Sequence, residues 1–251
     1  MKNKTKQRIT LTLLMLLASS IATAGCADEP QAGVNWMDCD HSGRDLSEAE
    51  LSEALLLNSN LSGTDLSGAD LSGADLDRAD LSNSNLSGAS MRSSHAVRAN
   101  FSNANLQKAK LQKARLDRAI LKKANLTKAR LQNARLYNAN LSRAILSGAN
   151  LSEANLEQAN LSNAKLDNSQ AKLANFNKAK LDDADLSYGD FTKANFKGAS
   201  LMDTDLTGAN LTGADFSTAD LSDAIFDEAI LGNAIWPNHK RCKPQSVGEC
   251  L

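Results

Sequence analysis

The chain has 251 residues, of which 42% are hydrophobic but only 4% are aromatic, and its formal net charge is −1. This length fits one or two ordinary domains, and the scarcity of aromatic side chains calls for a core built regularly from aliphatic residues. The near-zero net charge favours neither a polyanionic nor a polycationic partner for the chain as a whole.

Residues 1–25 have the order of a bacterial signal peptide. A basic start is followed by an apolar run, Leu11 to Ala22, which is too short to span a bilayer comfortably. Two cleavage sites fit the small residues that follow. Cleavage after Ala24 would release an ordinary exported protein, whereas cleavage before Cys26 would leave that cysteine lipidated. We favour lipidation of Cys26, with a flexible tether from Ala27 to Gly33.

From residue 44 to residue 236 the sequence repeats with a period of five. A large apolar residue occupies nearly every fifth position from Leu46 to Trp236, and only Ala96 and Ala171 are small exceptions. A small residue, usually Ala, stands two positions earlier, and Asp or Asn usually lies between. A period of five forms no stripe on an α-helix and would alternate between the faces of a flat strand. The chain must therefore turn once per repeat, as in a coil with short sides.

The motif Ala-(Asp/Asn)-Leu-x-x, seen in residues 69–73 and 149–153, resembles that of the pentapeptide-repeat family. The resemblance implies an all-β fold, a right-handed quadrilateral β-helix with four repeats per coil and about ten coils. Residues twenty apart would then stack. This spacing predicts an aromatic ladder formed by Phe176, Phe196, Phe216 and Trp236.

A solenoid needs a cap at each end. Residues 26–43 are assigned to the tether and N-terminal cap, with Trp36 covering the first coil, and Trp236 closes the last coil. Outward positions near the C-terminus hold isoleucine instead of Asp or Asn, and we expect the tail, residues 237–251, to cover these side chains. A homodimer interface is the alternative. The isoleucines are Ile225, Ile230 and Ile235.

The tail resembles the cysteine-closed tail of some exported repeat proteins, which implies a disulfide between Cys242 and Cys250. Cys39 is left over if Cys26 is lipidated, and the two can pair if it is not.

Two repeats break the pattern, at Ala96 and Ala171. Either the core becomes thinner there, or the chain bulges and turns Val97 and Leu173 inward.

The sequence offers no catalytic or metal-binding constellation and implies no cofactor. Its three histidines lie far apart, and the Asp row from Asp65 to Asp80 falls on successive sides of a coil, where turn capping is the expected role. The protein is therefore expected not to be an enzyme.

Charge is segregated along the chain. Residues 27–90 carry 13 acidic and 2 basic residues, whereas residues 91–145 carry 1 acidic and 13 basic residues; residues 146–251 are again acidic. The middle is a basic belt that would reach all four faces of the rod and could contact an anionic polymer or lipid headgroups. A solvated surface without function is the alternative. The belt comprises Lys108, Lys110, Lys113, Arg115, Arg118, Lys122, Lys123, Lys128, Arg130, Arg135 and Arg143.

We interpret the protein as a non-catalytic, exported scaffold or binding protein of the bacterial cell envelope. Its expected partner is a protein or an anionic envelope polymer and not a nucleic acid, and only the lipid would attach it to the membrane. The resemblance also offers a DNA mimic that binds gyrase, but the export signal and the basic middle argue against it. A lectin would need more exposed aromatic residues than Tyr137 and Tyr188.

Overall fold

Parallel backbone bridges join each repeat to the one twenty residues later. They run without interruption from Asn35–Leu55 to Asp215–Ile235, so four repeats make one coil, as predicted. The structure is a computed structural model that describes residues 25–251, and the predicted signal peptide up to Ala24 lies outside the described residues. Within these residues there is no helix, and each side of a coil contributes one bridging residue instead of a continuous strand.

The bridging residues define four faces of the rod. Face 1 runs in steps of twenty from Asn35 to Ile235, face 2 from Asp40 to Asp220, face 3 from Asp45 to Ile225, and face 4 from Glu50 to Ile230. Each face leads into a corner, which consists of the second and third residues after the bridging residue. Corner 1 follows face 1, as at residues 77–78, and corners 2, 3 and 4 follow their faces in the same way.

Each corner is a tight turn that the short sides of the coil require. In a typical repeat the N–H of Ala54 donates to the carbonyl of Leu51 at 3.2 Å, and Glu53, the third residue of the turn, has a φ of 57°. The same left-handed conformation recurs in every repeat, with φ between 54° and 71°. This conformation is costly for residues other than Gly, Asn and Asp, yet many corners hold Lys, Arg or Glu.

Aspartate and asparagine at bridging positions cap these turns. The Asp70 carboxylate accepts a hydrogen bond from the N–H of Ser72 at 2.9 Å, and Asp80 does the same for Ser82. Hydrogen bonds from the Ser67 side chain and backbone hold the pKa of Asp65 below its ordinary value. The acidic row therefore stabilises the coil locally, as expected from the sequence.

The interior is filled by the Leu and Ala positions of all four sides. Near the C-terminal end phenylalanines replace Leu on face 1 and stack as predicted. The ring centroids of Phe176 and Phe196 are 4.9 Å apart, those of Phe196 and Phe216 are 5.0 Å apart, and both pairs are nearly parallel. Trp236 continues the ladder at 5.8 Å from Phe216, with its ring edge-on at an interplanar angle of 67°.

The core becomes thinner at the two irregular repeats, and no bulge forms. The bridges of His95 and Gln170 keep the regular spacing, Ala96 and Ala171 are buried, and Leu173 is 56% exposed. The alternative of an inward bulge is therefore wrong. In both places the next Leu position along the chain holds a phenylalanine, Phe101 or Phe176, so a larger side chain follows each smaller one at these positions.

The coil begins before residue 44, the boundary predicted from the sequence. Asn35 and Asp40 already pair with the next coil, and Trp36 and His41 are buried at core positions that Leu usually occupies. Their rings lie 4.0 Å apart. The Arg44 guanidinium donates to His41 Nδ1 at 2.8 Å and lies 5.5 Å from the centre of the Trp36 ring system. These three side chains close the first coil.

A disulfide joins Cys26 to Cys39, so the thiol that lipidation would require is already used. This is the pairing that the sequence left open for an unlipidated Cys26, and lipidation of Cys26 stays a prediction. The structure differs from the prediction of a flexible tether. The N–H of Gly25 donates to the carbonyl of Asn35, and the Trp36 indole donates to the carbonyl of Asp28 at 3.3 Å. The segment after Cys26 is therefore held against the first coil.

At the other end the tail pairs with the backbone edge of the last coil. Val247 and Arg241 form antiparallel bridges with Ile230 and Ile235, and a disulfide joins Cys242 to Cys250. The tail adds to the edge and does not lie over the outward side chains, so Ile230 remains 45% exposed. The prediction that the tail covers the outward isoleucines is therefore wrong for Ile225 and Ile230, whereas Ile235 is partly buried.

The tail reaches only faces 4 and 1 of the last coil. On faces 2 and 3 the N–H groups of Leu221 and Phe226 have no backbone partner among residues 25–251, and both side chains are only partly buried. Ile225, between them, is 46% exposed. Trp236 is also only partly buried. The C-terminal end thus retains an unpaired edge beside apolar surface.

Candidate anion-binding site

Among the described residues, the side chains that could bind a ligand lie on the surface of the rod. Leu, Ala and Phe side chains fill the interior, and no group of three or more His, Cys, Asp or Glu between residues 25 and 251 is placed to hold a metal ion. No helix in this part of the chain is long and apolar enough to cross a membrane.

The basic belt is less uniform than the sequence suggested. At the corners its cations surround the rod, but at bridging positions they occupy only two adjacent faces. Lys110 and Arg130 lie on face 4, and Arg115 and Arg135 lie on face 1. The bridging positions of faces 2 and 3 at the same height hold only Asn and Ile. The next residue on face 3, Lys165, is outside the belt. The expectation that the belt covers all four faces therefore holds for the corners alone.

Five arginines gather where face 1 meets corner 1, and we call this group the arginine corner. The stacking of coils aligns Arg78, Arg98 and Arg118 in one column, because they occupy the same turn position in successive coils. Arg115 and Arg135 form a second column on face 1. Neighbouring coils are about 4.8 Å apart, so each column presents guanidinium groups at short intervals. All five residues are exposed.

Two shallow depressions adjoin these columns and share Val97 and Arg118. The larger, about 470 Å³, extends toward Leu57 and is lined by the arginine column of corner 1. The smaller, about 230 Å³, is lined by both columns and by Tyr137. The adjoining volumes form one shallow surface that spans several coils.

Two aspartates in the same corner organise this surface. Asp77 accepts a hydrogen bond from the N–H of Val97, one coil further on, at 2.8 Å. Asp117 is buried, and its Oδ2 lies 3.3 Å from Nε of Arg135. The other oxygen, Oδ1, is buried without a hydrogen-bond partner. Asp117 therefore holds one arginine in place while the remaining guanidiniums stay free of carboxylate partners.

The arginine corner gives up local stabilisation that other repeats retain. On face 1, Asn155 and Asn175 cap the N–H groups of Glu157 and Asn177 at 3.0 Å. Arg115 and Arg135 occupy the equivalent positions and cannot accept a hydrogen bond, so the N–H groups of residues 117 and 137 have no such cap in the described chain. Each cap contributes about 0.5–1.5 kcal/mol. Departures from local preference of this kind are expected at functional sites.

The charges of the arginine corner are largely uncompensated. The described residues contain two ion pairs, Arg135–Asp117 and Lys172–Asp190, so four of the five arginines have none. Arg78 and Arg98 were not among the site residues predicted from the sequence. A search for basic residues at twenty-residue spacing would have found them, since Arg78, Arg98 and Arg118 form such a series.

Twenty-residue coils joined by parallel bridges, with a filled aliphatic core, define a β-solenoid of five-residue repeats. A profile of pentapeptide repeats matches residues 45–83, 84–122, 124–163, 159–198 and 199–235. The chain belongs to the pentapeptide-repeat family. Membership implies a right-handed β-helix, and proteins of this family are generally scaffolds or binding proteins without catalytic activity.

Several solved structures are similar. HetL, a pentapeptide-repeat protein involved in heterocyst differentiation regulation from the cyanobacterium Nostoc sp. strain PCC 7120, is 31% identical, with 86% of this chain and 95% of HetL covered and a TM-score of 0.48. Rfr23 from the cyanobacterium Cyanothece 51142 is 32% identical over 37% of this chain and 63% of its own, with a TM-score of 0.36. Full-length QnrB1, a plasmid-mediated fluoroquinolone resistance protein, is 21% identical over 74% and 92%, with a TM-score of 0.32. No curated protein sequence matches the chain.

Proposed function

We propose that this protein is an exported, non-catalytic scaffold of the bacterial cell envelope that binds an anionic partner through its basic middle section. The observation that carries the proposal is the segregation of charge on a solid rod. Residues 91–145 hold 13 basic residues and 1 acidic residue, with acidic sections on either side. A rigid surface of this kind attracts polyanions without needing a pocket.

Export is supported by the order of residues 1–25 and by two disulfides, Cys26–Cys39 and Cys242–Cys250. Disulfides persist in oxidising compartments and are rare in the cytosol. Because Cys26 is paired, we propose a mature protein that begins at Gly25 and is free of lipid. The alternative of a cytoplasmic DNA mimic requires continuous negative charge, which the basic middle interrupts.

The first test is the intact mass of the protein recovered from expressing cells after fractionation. A mass that begins at Gly25 with two disulfides, in a soluble exported fraction, is the expected result. Acylated protein in the membrane fraction would establish the lipidated form instead. Full-length protein in the cytoplasm would refute export and favour the gyrase-binding alternative.

The second test is co-sedimentation with isolated cell-envelope fragments at increasing salt concentration. Binding should weaken steeply as salt rises, because the interaction depends on many exposed charges. The matched variants carry equal numbers of Lys/Arg→Gln exchanges, either in residues 91–145 or in residues 165–197. Loss of binding only in the first set is expected; equal loss, or binding that does not respond to salt, would contradict the proposal.

A second proposal concerns self-association at the C-terminal end. The unpaired edge on faces 2 and 3 of the last coil, next to exposed Ile225, can pair with the same edge of a second copy. We expect a dimer in light scattering that becomes a monomer with Ile225→Asp. The matched variant Ile120→Asp changes a similarly exposed isoleucine in mid-rod and should leave the dimer intact. A monomeric wild-type protein would refute this arrangement.

A further inference from the structure

We propose that the arginine corner is a binding site for an acidic polysaccharide, with the sugar carboxylates or sulfates on the two arginine columns. The inference rests on the proposed function, since it names the class of the anionic partner and the residues that bind it. The supporting observations are the composition of the site, its charge balance and its shape.

The first observation is that every cation of the site is an arginine. Guanidinium groups present paired N–H donors in a plane, which matches the two oxygens of a carboxylate or sulfate. Lysines occupy other positions of the belt, such as Lys108 and Lys128 at corner 3. The concentration of arginine at one corner therefore indicates directed recognition of anionic groups and not merely a positive surface.

The second observation is the repeat distance. Arg98 and Arg118 occupy equivalent positions one coil apart, as do Arg115 and Arg135, and a coil rises by about 4.8 Å. The sugars of an extended polymer follow one another at a similar interval, so successive acidic sugars can meet successive arginines. The smaller depression lies between the columns and the larger one borders the column of corner 1, and both are shallow and open, which suits a chain that passes over them.

The third observation distinguishes sugar from nucleic acid. Asp77 lies among the arginines, and its carboxylate can accept a hydrogen bond from a sugar hydroxyl, a donor that a phosphodiester linkage lacks. Single-stranded nucleic acid also needs several aromatic side chains on which bases stack, and the two depressions are lined by one, Tyr137. The mixture of arginine and aspartate therefore favours a hydroxyl-rich anion.

The test compares two double variants of the full mature chain that remove equal charge from equivalent turns. Arg98→Asn with Arg118→Asn changes corner 1, and Lys123→Asn with Arg143→Asn changes corner 2. All four residues have φ between 58° and 61°, so asparagine suits each position equally well. Binding is measured by calorimetry with a short oligogalacturonate, with its methyl-esterified form as the neutral control and a thymidine oligonucleotide as the nucleic-acid control.

We expect the corner 1 variant to bind oligogalacturonate about tenfold more weakly or worse, and the corner 2 variant to change little. The methyl-esterified oligomer should not bind. Arg115→Asn gives a separate readout. It should weaken binding and also raise the unfolding midpoint, because asparagine restores the missing turn cap. If Arg115 had only a structural role, its replacement by asparagine would lower the unfolding midpoint.

Three results would overturn the inference. Equal weakening by both double variants would indicate a diffuse charge effect, which leaves the proposed function standing without this site. The same conclusion follows if wild-type protein binds envelope fragments but no oligogalacturonate. Tighter binding of the oligonucleotide, lost in the corner 1 variant, would assign the site to nucleic acid. Wild-type protein that binds neither the fragments nor any anionic probe would refute the proposed function as well.

Discussion

Replacing Gly189 by alanine restores the usual residue of its position, yet it should destabilise the protein. A Cβ atom there would lie 2.4 Å from Cε2 of Phe191, which is too close for any real contact. The backbone is not the obstacle, since Gly189 does not have a positive φ. Overpacking costs about 1–3 kcal/mol and a compatible Gly→Ala exchange gains about 0.4–1 kcal/mol, so we expect a net loss of about 1–2 kcal/mol.

The ring of Phe191 should be the main cause of this loss, because the next neighbour, the Leu186 carbonyl oxygen, lies 3.2 Å from the added Cβ. Phe191→Leu removes the clash, and the double variant Gly189→Ala/Phe191→Leu has the common Ala-Asp-Leu repeat. We therefore expect it to be more stable than the sum of the single changes predicts, by about 1 kcal/mol or more. Urea unfolding followed by circular dichroism measures all three variants, with m-values compared because a solenoid can unfold in segments.

The matched control lies one coil further on. Ala209 precedes Leu211 instead of a phenylalanine, and its carbonyl and amide follow the same hydrogen-bonding pattern. Ala209→Gly should destabilise by about 0.5–1 kcal/mol. If Gly189→Ala stabilises the protein, or if its effect and that of Phe191→Leu are simply additive, the packing argument is refuted.

Three further predictions concern the core and the two ends. Ala96→Leu should destabilise by about 1–3 kcal/mol, and Phe101→Leu in the same chain should recover part of the loss in urea unfolding; no recovery would mean that the two residues do not share space. Burial, reinforced by the Arg44 charge, lowers the pKa of His41 from 6.5, so the unfolded chain takes up the proton first and stability falls as the pH drops below that value. His41→Leu should remove this part of the pH dependence of the melting temperature, and an unchanged profile would assign it to other groups. Cys242→Ser with Cys250→Ser should loosen the tail by about 2–3 kcal/mol, seen as faster hydrogen exchange at residues 241–248 with little change in the middle of the rod; uniform acceleration would contradict a local role.

The periodic interior was sufficient to predict that the chain turns once per repeat, because Leu recurs at every fifth position. The resemblance to the pentapeptide-repeat family then implied four repeats per coil, and this twenty-residue spacing places Phe176, Phe196 and Phe216 in one stack. The prediction failed where residues depart from the usual types. Trp36 and His41 occupy core positions but do not resemble Leu, so the first coil was assigned to the cap.

The arginine corner was overlooked for a different reason. Cations that are dense along the chain form the basic belt of the sequence, whereas the coil brings together cations that are separated by multiples of twenty residues. Arg78 lies outside the basic belt of the sequence but beside Arg98 in space. The outward isoleucines were interpreted by hydropathy alone. That analysis could not show that the tail would satisfy the hydrogen bonds of the edge before covering apolar side chains.

The unbroken twenty-residue coil also constrains how the chain can change in length. Deleting one five-residue repeat leaves every Leu in the interior, but it rotates all later residues by a quarter turn relative to the earlier ones. If the deleted repeat lies between Arg98 and Arg118, Arg118 would follow face 4 while Arg98 still follows face 1. The arginine column would then be split although the core is intact. Only insertions or deletions of whole coils preserve both. The alignment of surface residues is therefore preserved only by length changes of twenty residues, whereas the core is preserved by length changes of five.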